Sequence, residues 1–592
     1  MNPLQEYTSR LADWTARAEA HEKAHIRMGN RRVLFFVVVL ALAALWCRTG
    51  MGVGVTLLVL MLGTFFTGML HDRILNARDT ARRAIRFYEA GLSRLNDMWV
   101  GKGSPGSEFA DPHHPYSTDL DLFGPGSLFE LVNAAQTESG RTVLAGWLLA
   151  PADREEILAR QAAVAELRPM LDLRERLALL AGEAKTWIHT KPLIDWASQP
   201  RRLHSGPSRV VIFFLPFLTV FQYLMGHWTW ALAAAAAQYA VARAYGRRVR
   251  QVTRSISSVQ GDLKWLAEVL GCLERERFQS ERLRRMDAAC QCDGVAASQA
   301  INRLARLYDW LTSAENIYAV LFCRLLMWET QFAFAIESWR ARFGPKVAPW
   351  LARLAEMEAL SSLAGYACEH PLDPFPELLP VSAPAQVGAE GLGHPLIAEA
   401  RCVRNNALLG PDRQLTIVSG SNMSGKSTYL RAIGVNLVLA QAGAPVRARK
   451  FRMTPLRIGA SIRTVDSLQE GTSRFYAEIK RIGSIVKMAG QGTTLVFLLD
   501  EILGGTNSHD RRIGAGCIAR SLVQRGALGM MTTHDLALTK IAEEIRPPGA
   551  NFHFEDQLEK GRMSFDYTLR PGIVEKSNAL ELMRSVGLDV AE

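Results

Sequence analysis

Hydrophobic and polar positions along this chain fall into long blocks. Residues 1–30 are polar and helix-favouring, and then Val33–Cys47 is almost purely apolar. Arg48, Thr49 and Gly50 interrupt, and Met51–Leu70 is apolar again. A helix that crosses a bilayer core needs about 20 such residues. Arg31, Arg32 and Arg73 bracket the pair, and the connection between its arms is very short. Cations flanking both outer ends predict a transmembrane hairpin with those ends cytoplasmic. A signal peptide does not fit, because 32 residues precede the run and no small-residue cleavage site follows it; nor does a lipoprotein site at Cys47, because Trp46 precedes it where a small residue would be needed. A second pair follows at Val210–Met225 and Trp228–Val241, broken by Gly226 and His227. Arg201, Arg202 and Arg209 precede it; Arg243, Arg247, Arg248 and Arg250 follow it. Its arms are short and Pro216 lies inside one, so a buried soluble hairpin is an open alternative to a second membrane pair.

The pattern then changes twice more. Residues 250–345 are charged and helical in period; Glu274–Arg285 carries charges of both signs, as a solvated helix face does. Ile317–Trp339 is apolar but holds Arg324 and Glu329, which suits a packed helix rather than a span. Pro and Gly accumulate over residues 369–395, and beyond them short β-branched runs alternate with helical patterns, the signature of an α/β domain.

Composition adjusts this picture only slightly. The chain has 592 residues, 48% of them apolar and 21% charged, which supports three or four structural units with sizeable cores. The net charge of +11 is concentrated in the Arg clusters beside the apolar pairs, so it is not by itself a nucleic-acid signature. Eight Cys are scattered; only Cys290 and Cys292 are close, without a second pair at zinc spacing, which points to reduced thiols.

The candidate chemistry lies in the last third. Gly420, Ser421, Asn422, Met423, Ser424, Gly425, Lys426 and Ser427 fit the G-x-x-x-x-G-K-S phosphate loop. Leu415–Val418 reads as the strand entering it, and Thr428–Ala440 as the helix leaving it. Backbone N–H groups of such a loop point at phosphate oxygens, and the helix N-terminus adds partial positive charge. Lys426 is expected on the β- and γ-phosphates of ATP, with the Ser427 hydroxyl on Mg²⁺. The apolar run Thr494–Leu499 ends in Asp500 and Glu501. Asp500 is the expected second Mg²⁺ contact and Glu501 the group that orients or activates water, because phosphoryl transfer depends on positioning and charge neutralisation. His534, after another short strand, is a candidate γ-phosphate sensor.

Together these residues resemble the MutS family of ATPases. The loop Gly420–Thr428, the segment Asp466–Glu478, the run Asp500–Asp510, and Phe565–Gly572 with Ser577–Ala579 carry the resemblance. Upstream, Asp121–Gly124, Ser127–Asn133, Thr137–Arg141, Trp147–Pro151 and Ile157–Leu167 are similar to the start of the family's helical core. The resemblance is strong over about 395–585 and moderate over about 117–170. It implies a helical lever carrying an ABC-type ATPase, a homodimer through the ATPase domains, and a trans contact to the partner's nucleotide from Asn507 and Ser508. The adenine-packing aromatic of the family is not evident near Cys402–Asn406, and no mismatch-reading N-terminal domain is evident.

The expected fold class is therefore α plus α/β: helical membrane hairpins and a helical lever or core, followed by a C-terminal ABC-type P-loop ATPase domain. The expected boundaries are a polar helix at 1–30, a transmembrane hairpin at 31–72, a linker at 73–116, the first part of the lever at 117–208, a second hairpin at 209–244, lever helices at 245–370 and the ATPase domain at 371–592. The expected protein is a multi-pass ATPase of a bacterial-type inner membrane, its ATPase domain cytoplasmic, using ATP and Mg²⁺ to switch a dimer between conformations. The alternative is a mismatch-repair-type DNA-binding protein tethered at the membrane.

Overall fold

The computed structural model describes residues 2–49, 53–181, 191–203, 207–257, 263–288, 291–292, 294–313, 320–463, 474–559 and 562–574. Residues 466–473 and 577–579 of the segments quoted above, and Cys290, lie outside them. The chain divides into two compact units, one of residues 1–99 with 171–186, the other of 100–170 with 187–592.

The first unit is a long helical hairpin. Helix α1 (Pro3–Thr49) and helix α2 (Val53–Leu95) run antiparallel, as the facing pairs Tyr7–Tyr88, His25–His71 and Phe35–Gly63 show. Near the open end the core is Tyr7 against Tyr88, edge to face with centroids 5.6 Å apart. Arg10 bonds Asp172 at 2.5 Å and Glu175 at 3.3 Å, and Tyr88 also reaches Glu175, which ties in the helix Leu171–Ala181. Towards the other end the apolar residues turn outward: Leu34, Val37, Leu40, Phe65 and Phe66 are all exposed.

The second unit begins with short helices at Leu128–Val132, Glu138–Leu149 and Arg154–Leu167. It continues with α3 (Pro207–Leu224) and α4 (Trp228–Ser257), a hairpin held internally by a Thr219–Gln238 bond of 2.9 Å. The backbone of this unit is α5 (Trp328–Glu369), 42 residues long with Pro345 and Pro349 inside it. Its Glu358 accepts the N–H groups of Gln136 and Thr137 and the Thr137 hydroxyl, and so closes the N-terminus of Glu138–Leu149. Burial nonetheless pushes the Glu358 carboxyl up to about 7, against the opposing pull of those donors.

The expectation of membrane hairpins at 31–72 and 209–244 is corrected here, and with it the multi-pass inner-membrane location and the membrane partner. Among the described residues no helix is long and apolar enough to cross a membrane. The physical reason is length. Val33–Cys47 covers only about 22 Å of helix at about 1.5 Å per residue, against a hydrocarbon core of about 30 Å. Arg209 and Gly226 bound one later run, and Gly226 and Arg243 the other, to comparable lengths. Of Met51–Leu70, the first two residues lie outside the description, and Gly63, Thr64, Thr67 and Gly68 dilute the rest.

After α5 the chain enters mixed α/β structure. A small four-stranded sheet has the order Glu377–Leu378, Lys450–Met453, Val387–Leu392, Asn405–Leu409. Beside it lies a six-stranded sheet, whose strands we number β1 (Leu415–Ser419), β2 (Arg457–Ser461), β3 (Leu495–Asp500), β4 (Leu528–Thr533), β5 (Ala550–Glu559) and β6 (Arg562–Pro571). Their order is β6-β5-β1-β4-β3-β2. All neighbours pair in parallel except β5 with β6, which form an antiparallel hairpin. The central strands are buried and read as continuous apolar runs, as parallel strands covered on both faces do. Helix α6 (Lys426–Ala442) follows β1, α7 (Arg474–Met488) follows β2, and α8 (Ser508–Gln524) follows β3. On one face Leu415, Ile417, Phe497 and Leu499 pack on Ile482 and Ile485 of α7 and Ala515, Ala519 and Leu522 of α8. On the other, α6 lies so close that a Cβ on its Gly434 would meet Leu498 of β3 at 3.0 Å and Leu120 at 2.4 Å.

Candidate nucleotide site

The register of the sheet brings three separate sequence segments to one edge. Thr532 of β4 pairs with Val418 of β1 on one side and Asp500 of β3 on the other, and Thr533 pairs with Ser419. The C-terminal ends of the three strands are therefore level, and the loops after them start side by side. Ligands of open parallel sheets bind at such an edge.

The loop after β1 turns tightly into α6. Gly420 and Gly425 have φ of 150° and 102°, and Met423 has φ 69° with its side chain in solvent. A Cβ on Gly420 would meet the Ser424 hydroxyl at 2.8 Å and the Phe554 carbonyl at 3.0 Å, so glycine is required there for space as well as for torsion. The N-terminus of α6 has no side-chain cap, which leaves its first N–H groups available to an anion. Ser421 Oγ and Ser424 Oγ are buried without a hydrogen-bond partner among the described residues. Buried polar atoms of that kind are uncommon and suit a polar ligand.

Lys426 is 4% exposed, and its Nζ donates to the carbonyls of Gly420 at 3.0 Å and Ser421 at 2.7 Å. It also pairs with Glu501 Oε1 at 3.2 Å. Glu501 has φ 44°, and its other oxygen lies 3.4 Å from His534 Nδ1. Asp500 accepts the Thr532 hydroxyl, and the Glu501 N–H donates to Thr532, so β4 holds both acids by one residue. Leu503, with φ 58°, donates its N–H to the buried Glu478 at 2.5 Å, which anchors the turn that follows.

Asn422, Met423, Lys426, Ser427, Asp500 and Glu501 line a single cavity of about 580 Å³, a volume typical of small-molecule sites. Thr428 also faces it; His534 borders it through Glu501. Asn507 and Ser508 do not line it. Asn507 caps α8, its Oδ1 accepting the Asp510 N–H at 2.9 Å, and both residues are exposed.

Three participants escape the sequence reading. Tyr567 of β6 lines the cavity, and its ring would stand 3.0 Å from a Cβ on Gly425. Asn405 clamps its backbone, donating to the Tyr567 carbonyl at 3.0 Å and accepting the Leu569 N–H at 2.8 Å. An aromatic ring is thus held beside Asn405 by a residue about 160 positions later in the sequence; Phe565–Gly572, already singled out as a motif, contained it. His394 lines the same cavity, and burial, then the charge of Arg431, pushes its imidazole down to about 4. Asp119, in the segment just before Asp121–Gly124, accepts the N–H groups of Ile462 at 2.7 Å and Arg463 at 2.9 Å and bonds Arg481, while its carbonyl accepts from Arg431 of α6 at 3.1 Å.

The comparisons with known proteins bear on this geometry. Residues 416–590 match the family MutS domain V. The C-terminal part of this chain is thus similar to MutS-family proteins. DNA mismatch repair protein MutS 2 of Halobacterium salinarum is 32% identical over 247 residues, which are 40% of this chain and 27% of that protein. DNA mismatch repair protein MutS of Natronomonas pharaonis is 32% identical over 246 residues, again 40% of this chain and 27% of that protein. The chain therefore spans only about a quarter of the length of the curated relatives it matches. The phosphate loop, both acids after β3, His534 and Tyr567 all fall within the MutS domain V match.

Proposed function

We propose that the MutS domain V of this chain binds and hydrolyses ATP and that turnover switches a dimer between conformations. The observation that carries this reading is the convergence of Lys426, Asp500 and Glu501 on one cavity at the level ends of three parallel strands. In this reading the α6 N-terminus and the loop Gly420–Thr428 cradle the phosphates. Lys426 exchanges its carbonyl partners for β- and γ-phosphate oxygens. Glu501 orients and activates the attacking water, and His534 holds Glu501 and senses the γ-phosphate. Tyr567 faces the base.

The donors present fit a magnesium ion: Ser427 and Asp500, a hydroxyl and a carboxylate, are hard oxygen ligands lining the same cavity. Held there, Mg²⁺ would supply charge neutralisation. Asn507 and Ser508, exposed at the start of α8, are the residues we assign to contact a partner subunit's nucleotide.

The test is ATP turnover by the full chain and by Lys426→Ala. We expect the variant to lose about 10²–10³-fold, the usual effect of removing one preorganised charge donor. Equal rates would reject the site. A second reading, mismatch-repair-type DNA binding, has support in the names of the two relatives. Electrophoretic binding to heteroduplex and homoduplex DNA at defined salt decides it: no binding to either duplex rejects DNA binding, and equal binding rejects mismatch specificity.

A further inference from the structure

A second cavity, of about 490 Å³, lies between the small four-stranded sheet and the six-stranded sheet. Among the described residues, Tyr429 of α6 alone lines both it and the nucleotide cavity. Tyr429 is buried, and its hydroxyl donates to the Asn406 carbonyl at 2.8 Å, so the dividing wall is fixed. On β1 the second cavity is reached by Thr416, three residues before Ser419, which is about 10 Å along a strand.

The lining is cationic on balance. Arg413, Lys450 and Arg452 face Glu377 and Glu390. Glu390 is taken up by Lys450 at 3.0 Å. Neither Arg413 nor Arg452 has an ion pair among the described residues. The Arg413 guanidinium lies 5.4 Å from the centre of the Phe552 ring. Arg452 runs alongside Gly388, where a Cβ would come within 3.2 Å of its Nε, so glycine at 388 makes room for it. Deeper in, Thr416 is 2% exposed and its hydroxyl has no hydrogen-bond partner among the described residues. Two guanidiniums with free donors, a buried hydroxyl and an aromatic ring are the elements that recognise a dianion carrying a flat apolar group.

We propose that this cavity is a second small-molecule site, separate from the nucleotide site, that takes a phosphate ester of a planar group. Arg413 and Arg452 hold the phosphate, Thr416 hydrogen-bonds it, and the planar part lies against Phe552. Glu377 carries one opposing charge on the same lining, so phosphate is preferred to a carboxylate by geometry: its three oxygens can take both guanidiniums and the Thr416 hydroxyl at once. The site does not depend on the ATPase reading.

The probe is phenyl phosphate, titrated into the full chain by calorimetry. We expect saturable binding of one molecule per chain, with Kd of about 1 mM or tighter. Arg413→Glu and Arg452→Glu should each weaken it by about 10-fold or more, the effect of losing one charge-assisted contact. Arg413→Lys and Arg452→Lys, which keep the charge, should lose less, and thermal unfolding of all four variants checks that they fold. Benzoate should bind more weakly than phenyl phosphate. Lys426→Ala should leave phenyl phosphate binding unchanged. No saturable binding, or binding that survives both charge reversals, overturns the site. Binding lost in Lys426→Ala places the probe in the nucleotide cavity and equally overturns it. Equal affinity for benzoate overturns the assignment of phosphate.

Discussion

The phosphate loop and the α3–α4 hairpin invert the usual partition of residues in opposite ways. In the loop, polar groups are inside: Ser424 is 1% exposed and Lys426 4%. On the hairpin, apolar groups are outside: Leu232 is 75% exposed and Trp230 67%, with Phe213, Phe214 and Phe217 beside them. Neither arrangement is what burial energetics alone selects, since isolated polar groups are costly to bury and large apolar ones gain by burial. The loop is stable because its buried cation is fully bonded, to two carbonyls and one carboxylate. The hairpin is held from within, by Thr219 and Gln238 between its arms and by the Gln238 bond to the Leu325 carbonyl at 2.6 Å. Departures from the cheapest partition gather where a protein does something other than fold. They are of different kinds: the loop stores its chemistry in specific atoms, the hairpin in surface area.

The largest effects should come from breaking the specific atoms. Glu501→Gln keeps the shape of the acid but removes its charge from Lys426 and His534. We expect ATP turnover to fall about 10²–10³-fold while ATP binding persists. Single-turnover kinetics beside equilibrium binding checks both halves. A variant that turns over ATP normally would remove Glu501 from the mechanism, and one that no longer binds ATP would make it a structural partner of Lys426 only.

The same contrast explains how much could be read from the sequence. That Gly420–Ser427 turns from a strand into a helix, and that Asp500 and Glu501 follow an apolar strand, could be read because the pattern is local: glycines at forced torsions, a lysine, and two acids after a buried run. The level ends of β1, β3 and β4 follow once those strands are parallel. Tyr567 was not legible, because the register of the β5–β6 hairpin and the side chain of Asn405 decide where it stands. Asp119 was hidden for the same reason; its partners lie more than 300 residues away in sequence. The apolar runs misled in the other direction. Their hydropathy was plain, but whether they span anything depends on uninterrupted length, which Pro216, Gly63 and the flanking arginines cut short.

Next in size is Asp119, which ties the segment before Asp121 to β2, α7 and α6 at once. Asp119→Ala leaves two backbone N–H groups and one Arg481 Nη without their acceptor and removes the charge partner of Arg481, which keeps only the carbonyls of Ala460 and Pro112. Removing one member of a largely buried charged pair costs about 3–5 kcal/mol. Chemical denaturation should show a loss in that range, and a loss below about 1 kcal/mol would mean that water replaces the carboxylate and that the contact does not hold the helices to the sheet.

The pH dependence should be milder and more local. The folded His394 imidazole titrates at about 4, below the ordinary value of 6.5. Above pH 6.5 it is neutral in both states and contributes no pH dependence. As pH falls from 6.5 towards 4, the unfolded chain takes up a proton that the folded chain refuses, so stability declines, by on the order of 3 kcal/mol in all. Glu358 works in the other sense: its folded carboxyl titrates at about 7 rather than 4.5, so stability declines as pH rises through that window. Thermal unfolding of His394→Gln against pH separates the two. The substitution should remove the loss on the acid side of 6.5 and leave the loss between 4.5 and 7 in place. An unchanged acid limb would mean that His394 is hydrated in solution.

The smallest expected effect is the one that tests the other side of the comparison. Leu232→Ser acts on a side chain that is three-quarters exposed, so replacing it should change stability by no more than about 0.5 kcal/mol and leave ATP turnover alone. Leu498→Ala, in the buried strand β3, is the internal standard: it should cost about 2–5 kcal/mol, because it opens a cavity between the sheet and α6. The ratio of the two losses measures how completely the hairpin surface stays outside the folded core in solution. If Leu232→Ser costs as much as Leu498→Ala, that surface is covered when the protein folds, and its apolar side chains belong to an interface rather than to solvent. If the loss is near zero, the shape of the hairpin does not depend on this surface, and Gln238→Ala, which removes the bonds to Thr219 and Leu325, should destabilise it although it removes no apolar area worth counting.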